Sequence, residues 1–301
     1  MPKMMLSFLL VAASFLSQQT TAFAPPTAPV ARQSTELAAD NRRAFLASIA
    51  TATVAATTAF SPATAFAAQQ DKVLVLGGTG LVGSRVVTKL QSMGIDVIAT
   101  SRDGRDGTRK LDFASSSNVA SDIAELAKGC TAVISTVGVI GTDQDATVNA
   151  ASGLAAGGAK EAGVQRFVYI SVAPEVRELA KGVSFLQNYM TGKSFAEESI
   201  QTYFPSSFTL IEPTFIYGGN KFGVSPPRVA SGYGKLIEGL LSSAPLRAVT
   251  SVAPAGIIKI GLEPPVAAET VANAAIAGAL GKATLSTLDT YDKIQEAAKS
   301  L

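Results

Sequence analysis

The sequence predicts an α/β fold built on a doubly wound parallel sheet, and three observations carry that prediction. The apolar run Val73-Leu74-Val75-Leu76 breaks into Gly77-Gly78-Thr79-Gly80-Leu81-Val82-Gly83 and then into a helical stretch over residues 81–93. A second strand, residues 96–100, follows about 20 residues after the turn, which is the spacing of a dinucleotide-binding βαβ unit. Short apolar strands then keep alternating with helical stretches to the end of the chain, as repeated βα units do.

Taken in order, the strands are expected at Ala132-Val133-Ile134-Ser135-Thr136, Arg166-Phe167-Val168-Tyr169-Ile170 and Phe208-Thr209-Leu210-Ile211. The helices are expected over residues 119–127, 146–162 and 186–203, with a last mixed-charge helix over residues 285–301. Gly77 permits a tight turn, Gly80 lets backbone approach a pyrophosphate, and Gly83 lets the helix pack close to the strand. A phosphate would sit on the N-terminus of that helix, with Gly78, Thr79, Leu81 and Val82 completing the cradle.

Composition excludes several chemistries. The 301 residues contain no histidine and one cysteine, so neither a Ser-His-Asp nor a Cys-His nucleophile is available. A histidine-bearing zinc site is excluded too, no metal ligands are expected, and Cys130 reads as a small buried residue. Gly192-Lys193-Ser194 imitates the end of a phosphate-binding P-loop, but that motif needs glycine five residues before Gly192, where Gln187 stands.

Residues 1–67 read as a targeting leader rather than as fold. Lys3 precedes an apolar run over residues 4–16 and small residues at Thr20-Thr21-Ala22, a signal-peptide layout. Ala22-Phe23-Ala24-Pro25 and the Ser/Thr/Ala-rich stretch after it resemble the bipartite leaders that address complex plastids. Arg42-Arg43, an uncharged stretch over residues 44–67 and a terminal Ala65-Phe66-Ala67 look like a twin-arginine export signal, with a membrane anchor as the alternative. The expectation is a plastid protein, in the thylakoid lumen or, alternatively, in the stroma or on the thylakoid membrane surface. The 234 residues beyond position 67 carry 21 basic and 21 acidic side chains, and this balance offers no footprint for nucleic acid.

The end of the second strand distinguishes the two nicotinamide dinucleotides. An acidic residue there would bind a ribose 2′-hydroxyl, whereas this chain has Thr100-Ser101-Arg102, which suits a 2′-phosphate, so NADP (NADPH) is favoured over NAD. Arg102 is equally readable as an ordinary loop arginine, and Asp103 beside it blunts the charge. Asp112 is placed to meet an adenine edge, and Thr136, Val137 and Gly138 close the fourth strand beside the cofactor.

Tyr189 and Lys193 stand four apart on one helix face, and Ser171 ends the strand before them. In such an arrangement the lysine favours the tyrosinate and holds the nicotinamide ribose, the tyrosine exchanges a proton with a carbonyl or alcohol, and the serine orients that group. A surface helix with an aromatic anchor is the alternative reading of the same pair.

GGTGLVG, the segment from Ala162 through Arg166-Phe167-Val168-Tyr169-Ile170 to Ser171, and YMTGK together resemble the atypical and extended short-chain dehydrogenases/reductases of Rossmann fold. Glu212-Pro213-Thr214-Phe215-Ile216-Tyr217-Gly218 is similar to the segment that closes over the nicotinamide in extended members, which brings in Pro213 and Phe215. Pro264-Pro265-Val266-Ala267-Ala268-Glu269-Thr270-Val271-Ala272 resembles the start of their last substrate-side helix, within C-terminal segments near residues 213–283. The nearest likeness is to the NADPH-binding accessory subunit of respiratory complex I and its plastid and quinone-biosynthesis relatives. That resemblance implies two functions. One is an NADP-dependent oxidoreductase acting on an apolar plastid metabolite such as a quinone, isoprenoid or pigment precursor. The other is a non-catalytic NADPH-binding structural or assembly subunit, in association with the thylakoid membrane or a protein complex. Leu236, Ile237, Leu240, Leu241, Val249, Val252, Ile257 and Ile258 are expected to line an apolar substrate cleft or simply to fill core, and Phe185, Phe204 and Phe222 share that ambiguity.

Overall fold

The computed structural model describes residues 71–219, 223–224, 227–228, 231–243, 260 and 262–301. The leader over residues 1–67, Phe222, Val249, Val252, Ile257 and Ile258 lie outside the described residues, as does the side chain of Phe185.

Seven parallel strands form the main sheet: β1 Lys72–Leu76, β2 Asp96–Ser101, β3 Arg109–Lys110, β4 Ala132–Ser135, β5 Arg166–Ile170, β6 Phe208–Ile211 and β11 Thr287–Leu288. Their spatial order, β11-β6-β5-β4-β1-β2-β3, reverses direction at β1, between β4 and β2. A crevice opens at such a reversal, outside the carboxyl ends of the strands, and in this chain the glycine turn leaves β1 there. Registers of Val75 with Ile134, Ile134 with Val168 and Val168 with Thr209 align those strand ends on one edge.

Alternation along the strands explains the two helical layers. Val73 and Val75 point to one face, where α1 Gly83–Ser92, α7 Ala268–Ala279 and α8 Tyr291–Lys299 cover them. Leu74 and Leu76 point to the other, under α2 Val119–Leu126, α3 Asp145–Glu161 and α5 Gln187–Tyr203. Each β1 side chain from Val73 to Leu76 is fully buried, as a strand covered on both faces requires. Phe204 belongs to the second layer and packs its ring 5.6 Å from that of Phe167, so it is core.

The remaining described elements are α4 Pro174–Ala180, α6 Ser231–Leu241, and the two-residue strands β7 Ile216–Tyr217, β8 Gly223–Val224, β9 Pro227–Arg228 and β10 Val266–Ala267. Helix α7 lies against the sheet with nine of its residues buried, and β10 before it pairs with β7. One difference from the sequence reading has a physical cause. The C-terminal stretch begins with a strand, β11, which pairs with β6 before Thr290 caps α8 by accepting the Lys293 N–H. On α6, Ile237 and Leu241 are buried while Leu236 and Leu240 are exposed, dividing the apolar set between core and surface.

Candidate functional site

The glycine turn is built by backbone alone. Gly77 has φ of +80°, a conformation that side chains other than glycine's rarely allow, and its carbonyl accepts the Gly80 N–H at 2.9 Å. A Cβ on Gly83 would stand 2.1 Å from that carbonyl oxygen, and one on Gly78 would stand 2.8 Å from the Ala99 methyl. Thr136 buttresses the turn across the crevice: its hydroxyl is within hydrogen-bond reach of the Leu76 and Gly77 carbonyls, at 3.0 and 3.2 Å. Leu81 is partly buried and Val82 buried, so both offer the crevice main chain rather than side chain. Helix α1 begins with no side-chain cap and no acidic residue in its first turn, so no side chain opposes an anion at its positive dipole end, while the Ser84 and Arg85 N–H groups already bond the Gly80 and Val82 carbonyls. The turn therefore fits a dinucleotide pyrophosphate, which Gly77, Gly78, Thr79, Gly80, Leu81, Val82 and Gly83 would hold.

Beyond β2 the predicted residues divide. Ser101 is buried and committed to its own loop: its hydroxyl pairs with Asp103 at 3.1 Å and Thr108 at 2.7 Å, and accepts the Gly104 N–H. Arg102 is exposed. Arg105, which the sequence reading did not select, reaches back 26 residues to the Thr79 hydroxyl at 3.3 Å, holding a guanidinium beside the glycine turn. Asp112 accepts the Ala114 N–H and the Ser115 hydroxyl, so its carboxylate shapes the turn after β3.

A second cluster gathers at the ends of β4, β5 and β6. Helix α5 carries Tyr189, Lys193 and Glu197 at successive four-residue steps, hence on one face. Lys193 is buried; its ammonium donates to the Ile170 carbonyl at 2.9 Å and more distantly to the Val137 carbonyl at 3.5 Å. It lies 4.6 Å from the Tyr169 ring centroid and 5.7 Å from that of Tyr189. Gly138 makes room for it, since a Cβ there would sit 3.3 Å from the ammonium. Burial lowers the Lys193 pKa to about 7 although Glu197 opposes the shift, and burial raises that of the Tyr189 phenol well above its ordinary value. The phenol is therefore held protonated.

Helix α5 comes this close because its seam with α3 is lined with small residues. A Cβ on Gly192 would meet the Ala146 carbonyl at 2.6 Å, and one on Gly153 the Ser199 hydroxyl at 2.9 Å. The loop after β4 is pinned from α3 as well. Asp145 accepts the N–H groups of Gly141 and Thr142, and the Asn149 amide donates to the Val139 carbonyl at 2.7 Å.

Ser171 follows β5 and donates its hydroxyl proton to the Glu197 carboxylate in a close contact. Arg177 on α4 donates through Nη2 to Ser171 Oγ at 3.2 Å, to the Val172 carbonyl at 3.2 Å and closely to Glu197. Glu212, just beyond β6, lies 3.6 Å from the same guanidinium. Burial raises its pKa to about 7, helped by Glu197 and opposed by Arg177. Ser171, Tyr189 and Lys193 are thus brought to one sheet edge with Arg177 and Glu197, which the sequence reading passed over, and with Glu212, which it named only as the start of the segment over residues 212–218. Glu197 had a signal, the repeat of the Tyr189–Lys193 spacing; Arg177 had none. Pro213 is buried and accepts the Ala173 N–H at 3.3 Å, while Phe215 is partly buried and receives the Val266 N–H on its carbonyl.

Among the described residues, no three His, Cys, Asp or Glu side chains gather as metal ligands, and no helix is long and apolar enough to cross a membrane. An uncharacterized chloroplastic protein of Arabidopsis thaliana is 31% identical over 244 residues, covering 77% of this chain and 79% of that one. Among solved structures, the Bordetella bronchiseptica enzyme WbmH in complex with NAD+ is 18% identical with a TM-score of 0.46, over 72% of this chain and 73% of that chain. UDP-N-acetylglucosamine 4-epimerase from Bacillus cereus is 15% identical with a TM-score of 0.46, over 72% and 77%. The model of the NAD(P)H-binding family matches residues 77–229, half of the chain, from the glycine turn through the Lys193 cluster, and the chain belongs to that family.

Proposed function

We propose that this protein is an NADP-dependent oxidoreductase of the short-chain type, acting on an uncharged, apolar plastid metabolite. The observation that carries the reading is the place of Lys193. Its buried ammonium stands at the end of β5, against Gly138 at the end of β4, on the sheet edge from which the glycine turn leaves β1. Bound in that turn, the dinucleotide supplies or accepts the hydride. The chain's own residues handle the proton and the positioning: the Tyr189 phenol, kept protonated, gives its proton to a carbonyl oxygen as that carbon is reduced. Lys193 holds ribose hydroxyls and donates a second charge-assisted contact. Ser171 orients the reacting oxygen.

NADP is favoured over NAD by two exposed guanidiniums beyond β2, Arg102 and Arg105, the second tethered to Thr79. The chloroplastic name of the Arabidopsis relative and the leader-like residues 1–67 support a plastid location, which we propose to be the thylakoid lumen or, alternatively, the stroma or the thylakoid membrane surface. The test is calorimetric titration of the full chain with NADPH and NADH, followed by NADPH absorbance in the presence of uncharged ketones and quinones. Tight NADPH binding with oxidation that disappears in Tyr189→Phe is expected. Oxidation that persists in Tyr189→Phe would overturn the role of the phenol.

A second reading, a non-catalytic NADPH-binding subunit of a photosynthetic or quinone-related complex, is favoured by one feature. The Lys193 ammonium donates to main-chain carbonyls, a structural use. NADPH binding with no oxidation of any compound in the series would select it.

A further inference from the structure

Lys193 carries a positive charge into surroundings that offer it little counter-charge. Its ammonium donates to the Ile170 carbonyl at 2.9 Å, and the Val137 carbonyl lies farther off, at 3.5 Å. The carboxylate that favours its charge, Glu197 on α5, already accepts the Ser171 hydroxyl and the Arg177 guanidinium, and Arg177 on α4 works against the lysine. Glu212, beyond β6, lies against the same guanidinium, Asp145 on α3 is spent on the loop after β4, and the Tyr189 phenol on α5 stays protonated. Two carbonyl dipoles are a thin compensation for a buried charge.

An aromatic ring supplies the rest. The ammonium stands 4.6 Å from the Tyr169 ring centroid, nearer than the 5.7 Å that separates it from Tyr189, and attraction to a ring face is strongest where water is excluded. Tyr169 is fully buried on β5, one residue before Ile170, so a single strand provides both the ring and the nearer carbonyl. The ring is the part of this side chain that acts. Among the described residues the Tyr169 hydroxyl has no hydrogen-bond partner, and the nearby Ser152 hydroxyl is paired with Ser135 at 2.8 Å. From the reading of Lys193 given above, on which this step rests, we infer that Tyr169 is a positioning residue whose ring face seats the Lys193 ammonium and keeps it charged at the end of β5, ready to hold the ribose hydroxyls of a bound nicotinamide dinucleotide. Burial has already drawn the lysine pKa down to about 7, so the charge is close to being lost at neutral pH, and the electron-rich ring face opposes that loss.

The test uses the full chain and reads NADPH affinity through the nucleotide's fluorescence, from mildly acid to mildly alkaline pH. Failure of NADPH to bind overturns the cofactor-site reading itself, and this inference with it. Lys193→Met gives the baseline set by the other titrating groups, Glu212 and the ligand's own phosphate; affinity and pH profile unchanged from wild type in that variant overturn the reading of Lys193, and this inference with it. In the wild-type chain, affinity is expected to fall below that of more acid solution as pH rises and the lysine loses its proton. Tyr169→Phe keeps the ring and its electron-rich face, and is expected to reproduce the wild-type curve. Pentafluorophenylalanine placed at position 169 keeps the shape but reverses the charge distribution of the ring. It is expected to bring the fall about one pH unit earlier, with NADPH held about tenfold more weakly on the alkaline side. Tyr169→Met removes the ring while filling most of its space; the same shift is expected of it, and it replaces the fluorinated chain if that chain does not fold. A wild-type curve in the fluorinated and Met chains, a loss of equal size at every pH, or a Tyr169→Phe curve that moves as far as the fluorinated one would overturn the inference while leaving NADPH binding and the role of Lys193 intact.

Discussion

The two halves of the sheet edge are built from opposite materials. The glycine turn at the end of β1 works through missing side chains, with Gly77, Gly78 and Gly83 each holding a contact that a Cβ would break. The cluster at the ends of β5 and β6 works through long charged side chains, with Arg177, Glu197 and Glu212 meeting around Ser171. The first is open to failure by steric intrusion. The second is open to failure by charge imbalance.

The largest test of this contrast is Arg177→Met, which leaves Glu197 and Glu212 without their shared counter-charge. Breaking a buried pair from one side costs about 3–5 kcal/mol, and urea unfolding of the variant against the wild type measures it. A loss under about 1 kcal/mol would mean that water already screens the cluster. Next comes the pH dependence. Because burial raises the Glu212 carboxyl from 4.5 to about 7, the folded chain holds a proton the unfolded chain has released, and stability falls as pH rises through that window. Lys193 has the opposite slope: its pKa falls from 10.5 to about 7, so stability rises again above neutrality. Glu212→Gln should flatten the acid-side slope, worth about 3 kcal/mol across the window, and Lys193→Met the alkaline one. Urea titrations at a series of pH values would show each change separately.

On the glycine side, Gly83→Ala should cost about 2 kcal/mol of stability through the contact with the Gly77 carbonyl and should weaken NADPH and NADH binding alike. Arg105→Ala should act on one cofactor only. It should lower NADPH affinity about tenfold, the scale of one lost charge-assisted contact, and leave NADH affinity unchanged in the same calorimetric titration. The smallest effect should come from Lys128→Ala. It removes an exposed pair with Glu125, and thermal unfolding should move by no more than is usual for surface ion pairs, about 0.5 kcal/mol.

The same contrast explains what was legible before the structure. Strand, glycine turn and helix are contiguous in sequence, and glycine is the residue such a turn demands, so residues 73–83 could be read directly. Ser171, Tyr189 and Lys193 were found from their order along the chain. Glu212 is 35 residues from Arg177 and looks like an ordinary polar position after a strand. Parallel pairing of β5 with β6 sets it beside the end of β5, and no local pattern encodes that pairing.

One consequence concerns how mutational maps of this protein should be interpreted. Gly192 touches no ligand, yet its Cα sits where a single methyl group would collide with the Ala146 carbonyl and push the whole α5 helix outward. Its neighbour Lys193 would then be withdrawn from the end of β5. A survey scoring only activity would rank Gly192 with the chemical residues, although what it fixes is the spacing between two helical rods.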